Sequence, residues 1–104
     1  MGASRSAIGP LMERGEVFLR DGVVEGPHGE TTLVVTSHAF YLTLGGRLAR
    51  CRYEDVRSAT FDTRDVYLAL SGRMIRLICR RGTDKSPAIQ ILRQQILRRK
   101  AGAA

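Results

Sequence analysis

The chain has 104 residues, 43% of them hydrophobic and 6% aromatic, with no tryptophan. That is enough for one modest core and too little for two domains. The formal net charge is +7, and no apolar run approaches the roughly 18 residues that a membrane-spanning helix needs.

The charge is unevenly distributed. Residues 1–46 carry three basic and five acidic side chains, whereas residues 47–104 carry fourteen basic and five acidic ones. An imbalance of this kind suits an anionic partner such as a membrane surface, a nucleic acid or an acidic protein. The plainer alternative is a GC-rich genome whose arginine excess is only solvated surface.

In chain order, residues 1–14 are small, polar and unpatterned apart from Ile8, Leu11 and Met12, and read as a flexible arm with at most one helical turn after Pro10. The start lacks the apolar stretch of a signal peptide. Met1-Gly2 followed by Ser6 matches the short N-myristoylation pattern, which is common by chance. Gly15 opens GEVFLRDGVVEG, where Val17 and Leu19 share a face, and Asp21-Gly22 bends a single strand. Gly26-Pro27-His28-Gly29 is a loop.

The strongest signal lies in residues 31–46, TTLVVTSHAFYLTLGG. Leu33 and Val35 fall on one face, and Phe40, Leu42 and Leu44 on one face of the next run, with Ser37-His38 as the turn between them. Gly45-Gly46 ends the second run where positive φ is needed. Arg47–Tyr53 alternates again, with Ala49, Cys51 and Tyr53 opposite Leu48, Arg50 and Arg52, so this strand carries an arginine-bearing outer face. Glu54-Asp55 is a polar corner before a strand at Val56–Asp62. Val66, Leu68 and Leu70 define the next strand, and Ser71-Gly72 turns into Arg73–Arg80, with Ile75, Leu77 and Cys79 opposite Met74, Arg76, Ile78 and Arg80. Seven strands at intervals of eight to twelve residues fit an antiparallel barrel or sandwich.

The period then changes. Ser86 and Pro87 form a capped helix start, and the helix expected from Ser86 to Lys100 places Ile89, Leu92 and Ile96 on one stripe, with Leu97 widening it. Arg98, Arg99 and Lys100 sit in the last turn, where cations suit the helix dipole. Residues 101–104 read as a disordered tail.

Candidate chemistry is sparse. There is no Gly-x-Ser-x-Gly, no Cys and His pair at a family spacing, and no phosphate loop. His28, His38, Cys51 and Cys79 fall at no metal-ligand spacing, and loop histidines with reduced core cysteines explain them better. Arg76-x-x-x-Arg80 resembles the arginine half of a cyclic-dinucleotide motif whose companion half is missing. The expectation is a non-enzymatic chain without cofactor or metal.

Seven strands followed by one amphipathic helix is the element order of the pleckstrin-homology (PH) superfold. The likeness extends to local pattern. LVVTSHAFYLTL resembles the strand–turn–strand signature of bacterial PH and GRAM domains, and RYEDVRSATF and GEVFLRDGVVEG are similar to further segments of those families. The resemblance covers residues 15–100, and it implies a mainly β, PH-like seven-stranded antiparallel barrel or sandwich capped by a C-terminal helix. The family's phosphoinositide binders carry basic residues at the end of strand one and the start of strand two. Here Glu25 to Thr32 contain two glutamates and no Arg or Lys, so that lipid site does not carry over. The resemblance therefore implies a cytoplasmic interaction or scaffold module whose partner is a protein or peptide, taken at a sheet edge or beside the helix. The alternatives are an anionic membrane at the inner face, reached through the basic half, and nucleic acid. Residues for anion or partner contact are Arg50, Arg52, Arg76, Arg80, Arg93, Arg98, Arg99 and Lys100.

Overall fold

The computed structural model describes residues 8–102. They form seven antiparallel strands: β1 (Phe18–Gly26), β2 (Gly29–Thr36), β3 (Ala39–Leu44), β4 (Arg47–Arg52), β5 (Val56–Phe61), β6 (Asp65–Leu70) and β7 (Arg73–Ile78). One helix, α1 (Pro87–Gly102), follows them. The strands make a single sheet in the order β4-β3-β2-β1-β7-β6-β5. Between β1 and β7 only Glu25 and Ile78 are paired. The sheet folds at this weak junction into two facing halves, and its ends, β4 and β5, do not bond to each other. The fold is therefore a helix-capped sandwich rather than a closed barrel.

The inner faces enclose the main core. Leu33, Val35, Phe40 and Leu42 from β2 and β3 meet Val66, Leu68, Ile75 and Leu77 from β6 and β7. Ala88, Ile89, Leu92 and Ile96 of α1 complete it, as the helical stripe predicted. Gly22 of β1 lies where the helix approaches most closely: a Cβ there would stand 3.0 Å from that of Ala88. Leu97 does not widen the stripe. It is 53% exposed, and Ala88 and Ile91 pack inward in its place. The β3–β4 hairpin closes through Gly45 and Gly46, both at positive φ (58° and 79°), as its two-residue turn requires.

Four details differ from the sequence reading. In β1 the register shift falls between Phe18 and Arg20, not at Asp21-Gly22. β7 ends at Ile78, because the Cys79 N–H donates to the carbonyl of Arg64 and the chain turns away, leaving Arg80 outside the strand. The segment expected to be a flexible arm is docked from Ile8 onward. Ile8 is fully buried with Val34, Ala39 and Tyr41, and Met12, Phe18 and Leu48 pack against them. This second cluster covers the outer face of β2, β3 and β4. The helix continues two residues past Lys100 into the expected tail. The myristoylation pattern and the last two residues lie outside the described residues. No helix among those described is long and apolar enough to cross a membrane.

Candidate functional site

The densest polar constellation in the molecule is built on Glu16. The segment before β1 carries its carboxylate, with 0% side-chain exposure, against the outer face of β2 and β3. There Thr36 Oγ1–H and Tyr41 O–H both donate to Oε2, the latter at 2.6 Å. Oε1 accepts the Glu13 N–H at 2.9 Å and Arg50 Nη2 at 2.8 Å. Arg50 also donates from Nε to the Tyr41 hydroxyl and from Nη2 to Glu13. Burial by itself would raise the Glu16 carboxyl, but these hydrogen bonds outweigh it and hold the group at about 2. Desolvation and the Glu16 contact push the Tyr41 hydroxyl up to about 12. Both Glu16 oxygens, the Tyr41 hydroxyl and the Nε and Nη2 of Arg50 are engaged within the network, which fastens the segment before β1 to the sheet.

That placement corrects the role expected of Arg50. Its alternation in β4 does put it on the outer face, but the docked segment covers that face and takes its guanidinium. Four other candidates also have acidic neighbours. Arg52 and Arg99 both reach Glu54, at 3.2 and 3.3 Å, and Arg99 also donates to the carbonyl of Ser37. Arg76 pairs with Asp65 at 2.9 Å and lies over the Tyr67 ring. Arg80 meets Glu25 at 3.5 Å. Arg93 sits over the Phe61 ring, 5.8 Å from its centroid. Among the described residues, no carboxylate lies within ion-pair distance of Arg98 or Lys100. Apart from Arg52 and Arg99, which meet at Glu54, the candidates are spread over β4, β7, the turn after it and α1 and do not converge.

Binding of single-stranded nucleic acid draws on exposed aromatics for base stacking, and two of the three tyrosines are closed to it. Tyr41 and Tyr53 are buried, and Tyr53 extends its hydroxyl to the carbonyls of Thr36 and Ala39 in the β2–β3 turn. Tyr67 alone of the three is exposed. His28 and His38 occupy two different turns, and Cys51 in β4 and Cys79 just past the end of β7 are free and buried. Among the described residues, no group of three or more His, Cys, Asp or Glu is placed to hold a metal ion. Burial raises both thiols, Cys51 to about 11. Both cysteines of the folded protein should therefore be alkylated much more slowly than after unfolding, as mass spectrometry of a time course would record.

A groove that the sequence did not reveal runs between α1 and the end strand β5. It has a volume of about 380 Å³ and is lined by Phe61, Ile89, Gln90, Arg93 and Leu97, with Thr83 and Asp84 at its end. β5 bonds only to β6, so its far side has no strand neighbour. Leu97 stands exposed in this groove, which meets β5 at its last residue, Phe61. Comparison with protein-family models, with curated proteins and with solved structures finds no match for the chain.

Proposed function

We propose that this chain is a non-enzymatic, PH-like interaction module that takes an extended segment of a partner protein along β5, in the groove beside α1. What supports the PH-like reading is the order of seven strands and one helix, together with a sheet folded over at the β1–β7 junction. What carries the binding reading is the exposed Leu97, which lines one groove with the half-buried Phe61, the last residue of the end strand β5. An added strand would gain main-chain hydrogen bonds from β5 and an apolar anchor from Leu97 and Phe61. The Arg93 guanidinium over Phe61 would meet a carboxylate or carbonyl of the segment.

The second reading, attachment to an anionic membrane, has Arg98 and Lys100 in its favour, which meet no carboxylate among the described residues. Each cation near such a surface contributes about 1 kcal/mol, and salt weakens the sum. One set of variants separates the two. Peptides selected against the full chain should lose about tenfold or more in affinity with Leu97→Asp and keep it with Arg98→Glu/Lys100→Glu. Vesicles rich in phosphatidylserine should not co-sediment the protein at physiological salt. Retention on vesicles, abolished by the double charge reversal and indifferent to Leu97→Asp, would reverse the order of the two readings.

A further inference from the structure

The sheet has two ends, and the groove beside α1 uses only the β5 end. Beside the other end, β4, lies a cleft of about 410 Å³. Ala49, Arg50 and Cys51 form one wall, and the β6–β7 turn from Leu70 to Arg73 forms the other. A strand bonded on one side turns the N–H and C=O of alternate residues toward the empty side. β4 is bonded to β3 alone, so it presents half a ladder to this cleft. The cleft walls include apolar groups, since Ala49, Cys51 and Leu70 all pack on the main core.

Of the charged residues lining the cleft, Arg73 is exposed and Asp55 is acidic, while Arg50 is taken by Glu13 and Glu16. The exposed Arg47 stands two residues before Ala49 on the same edge strand, and the exposed Arg57 follows Val56, the strand partner of Leu70. Among the described residues no carboxylate lies within ion-pair distance of Arg47, Arg57 or Arg73, so arginine outnumbers acid near the cleft. The charges of Arg73 and Asp55 both act on Cys51, in opposite directions. Proteins commonly guard a bare strand edge with charge. A guard made of arginine repels a second copy of β4, which would bring Arg47 and Arg52 against the same cations. It attracts a strand that carries carboxylates.

We propose that the cleft beside β4 is a second docking site, selective for an extended acidic segment of a partner protein that adds to the β4 edge. At about 3.3 Å per residue the six residues of β4 offer roughly 20 Å of edge. The bound segment is correspondingly short.

Hydrogen–deuterium exchange on the full chain tests this, with a short peptide of alternating Glu and Val as the probe and its Lys–Val counterpart as control. The Glu–Val peptide should slow exchange of the amides in residues 47–52 by about tenfold or more at saturation, and the Lys–Val peptide should not. Arg47→Glu/Arg73→Glu should reverse that preference while the core amides of β2 and β6 exchange as before. Equal slowing by both peptides, or no slowing in residues 47–52, would overturn the proposal. Slowing confined to residues 56–61 would also overturn it, and would place the acidic segment in the groove beside α1 instead.

Discussion

Arg50→Ala should destabilise the protein by about 3–5 kcal/mol, the usual consequence of removing one partner from a buried ion pair. The guanidinium is 18% exposed and the Glu16 carboxylate not at all, so solvent cannot replace what is lost. Glu16 would keep the hydrogen bonds of Thr36, Tyr41 and the Glu13 N–H, yet its charge would face no cation. Arg52→Ala is the matched control, because the Arg52–Glu54 pair is about half exposed on both sides and such pairs contribute about 0–1 kcal/mol. Urea denaturation of the two variants gives the comparison. A loss no greater for Arg50→Ala than for Arg52→Ala would show that the network does not hold the segment down. Acid provides an independent check. The Glu16 carboxyl is lowered in the folded chain from 4.5 to about 2. Its contribution is therefore complete above about pH 4.5 and is lost as pH falls toward 2. In Arg50→Ala the Glu16 part of that slope should shrink, since one of the bonds holding the carboxyl low is gone.

This network also marks the limit of what the sequence disclosed. Alternation in residues 31–46 located the hairpin and its inward set, because a strand with one face on a core must repeat every two residues. The same alternation put Arg50 on the outer face of β4. It could not say that the face was covered. One signal was available: Leu33, Val34 and Val35 run consecutively and all are fully buried, which is how a strand covered on both sides reads. The covering segment offered nothing comparable, since Ile8, Met12 and Glu16 are isolated in a polar stretch too short for a period to show. Its position is fixed by contacts with residues twenty or more positions away. The β5 groove was hidden for a related reason. Helical periodicity grouped Leu97 with Ile96, and only the angle at which α1 meets the sheet decides that one is buried and the other is exposed in the groove. The basic residues were easiest to count and hardest to place, because most acquired acidic neighbours that are distant in sequence.

Ile96→Ala should lower stability by about 2–4 kcal/mol, through lost apolar burial and the cavity left behind. Ile96 is 2% exposed, and its cluster includes Phe40, Tyr53 and Leu92. One position further on, Leu97→Ala should stay within about 0.5 kcal/mol, as an exposed site away from special features does. Thermal and urea unfolding of both variants decides whether the helix is held by its buried stripe or by surface contacts. A small effect at Ile96 would leave the ion pair and carbonyl contact of Arg99 as what fastens the last turns. The functional consequences should run the opposite way. Leu97→Ala removes an anchor from an intact groove and should weaken peptide binding with the fold unchanged. Ile96→Ala loosens the wall on which Leu97 and Arg93 stand, so any binding it loses should return when the helix is stabilised at lower temperature. Binding that falls equally in both variants, at every temperature where they remain folded, would mean that the α1 wall acts as one rigid surface.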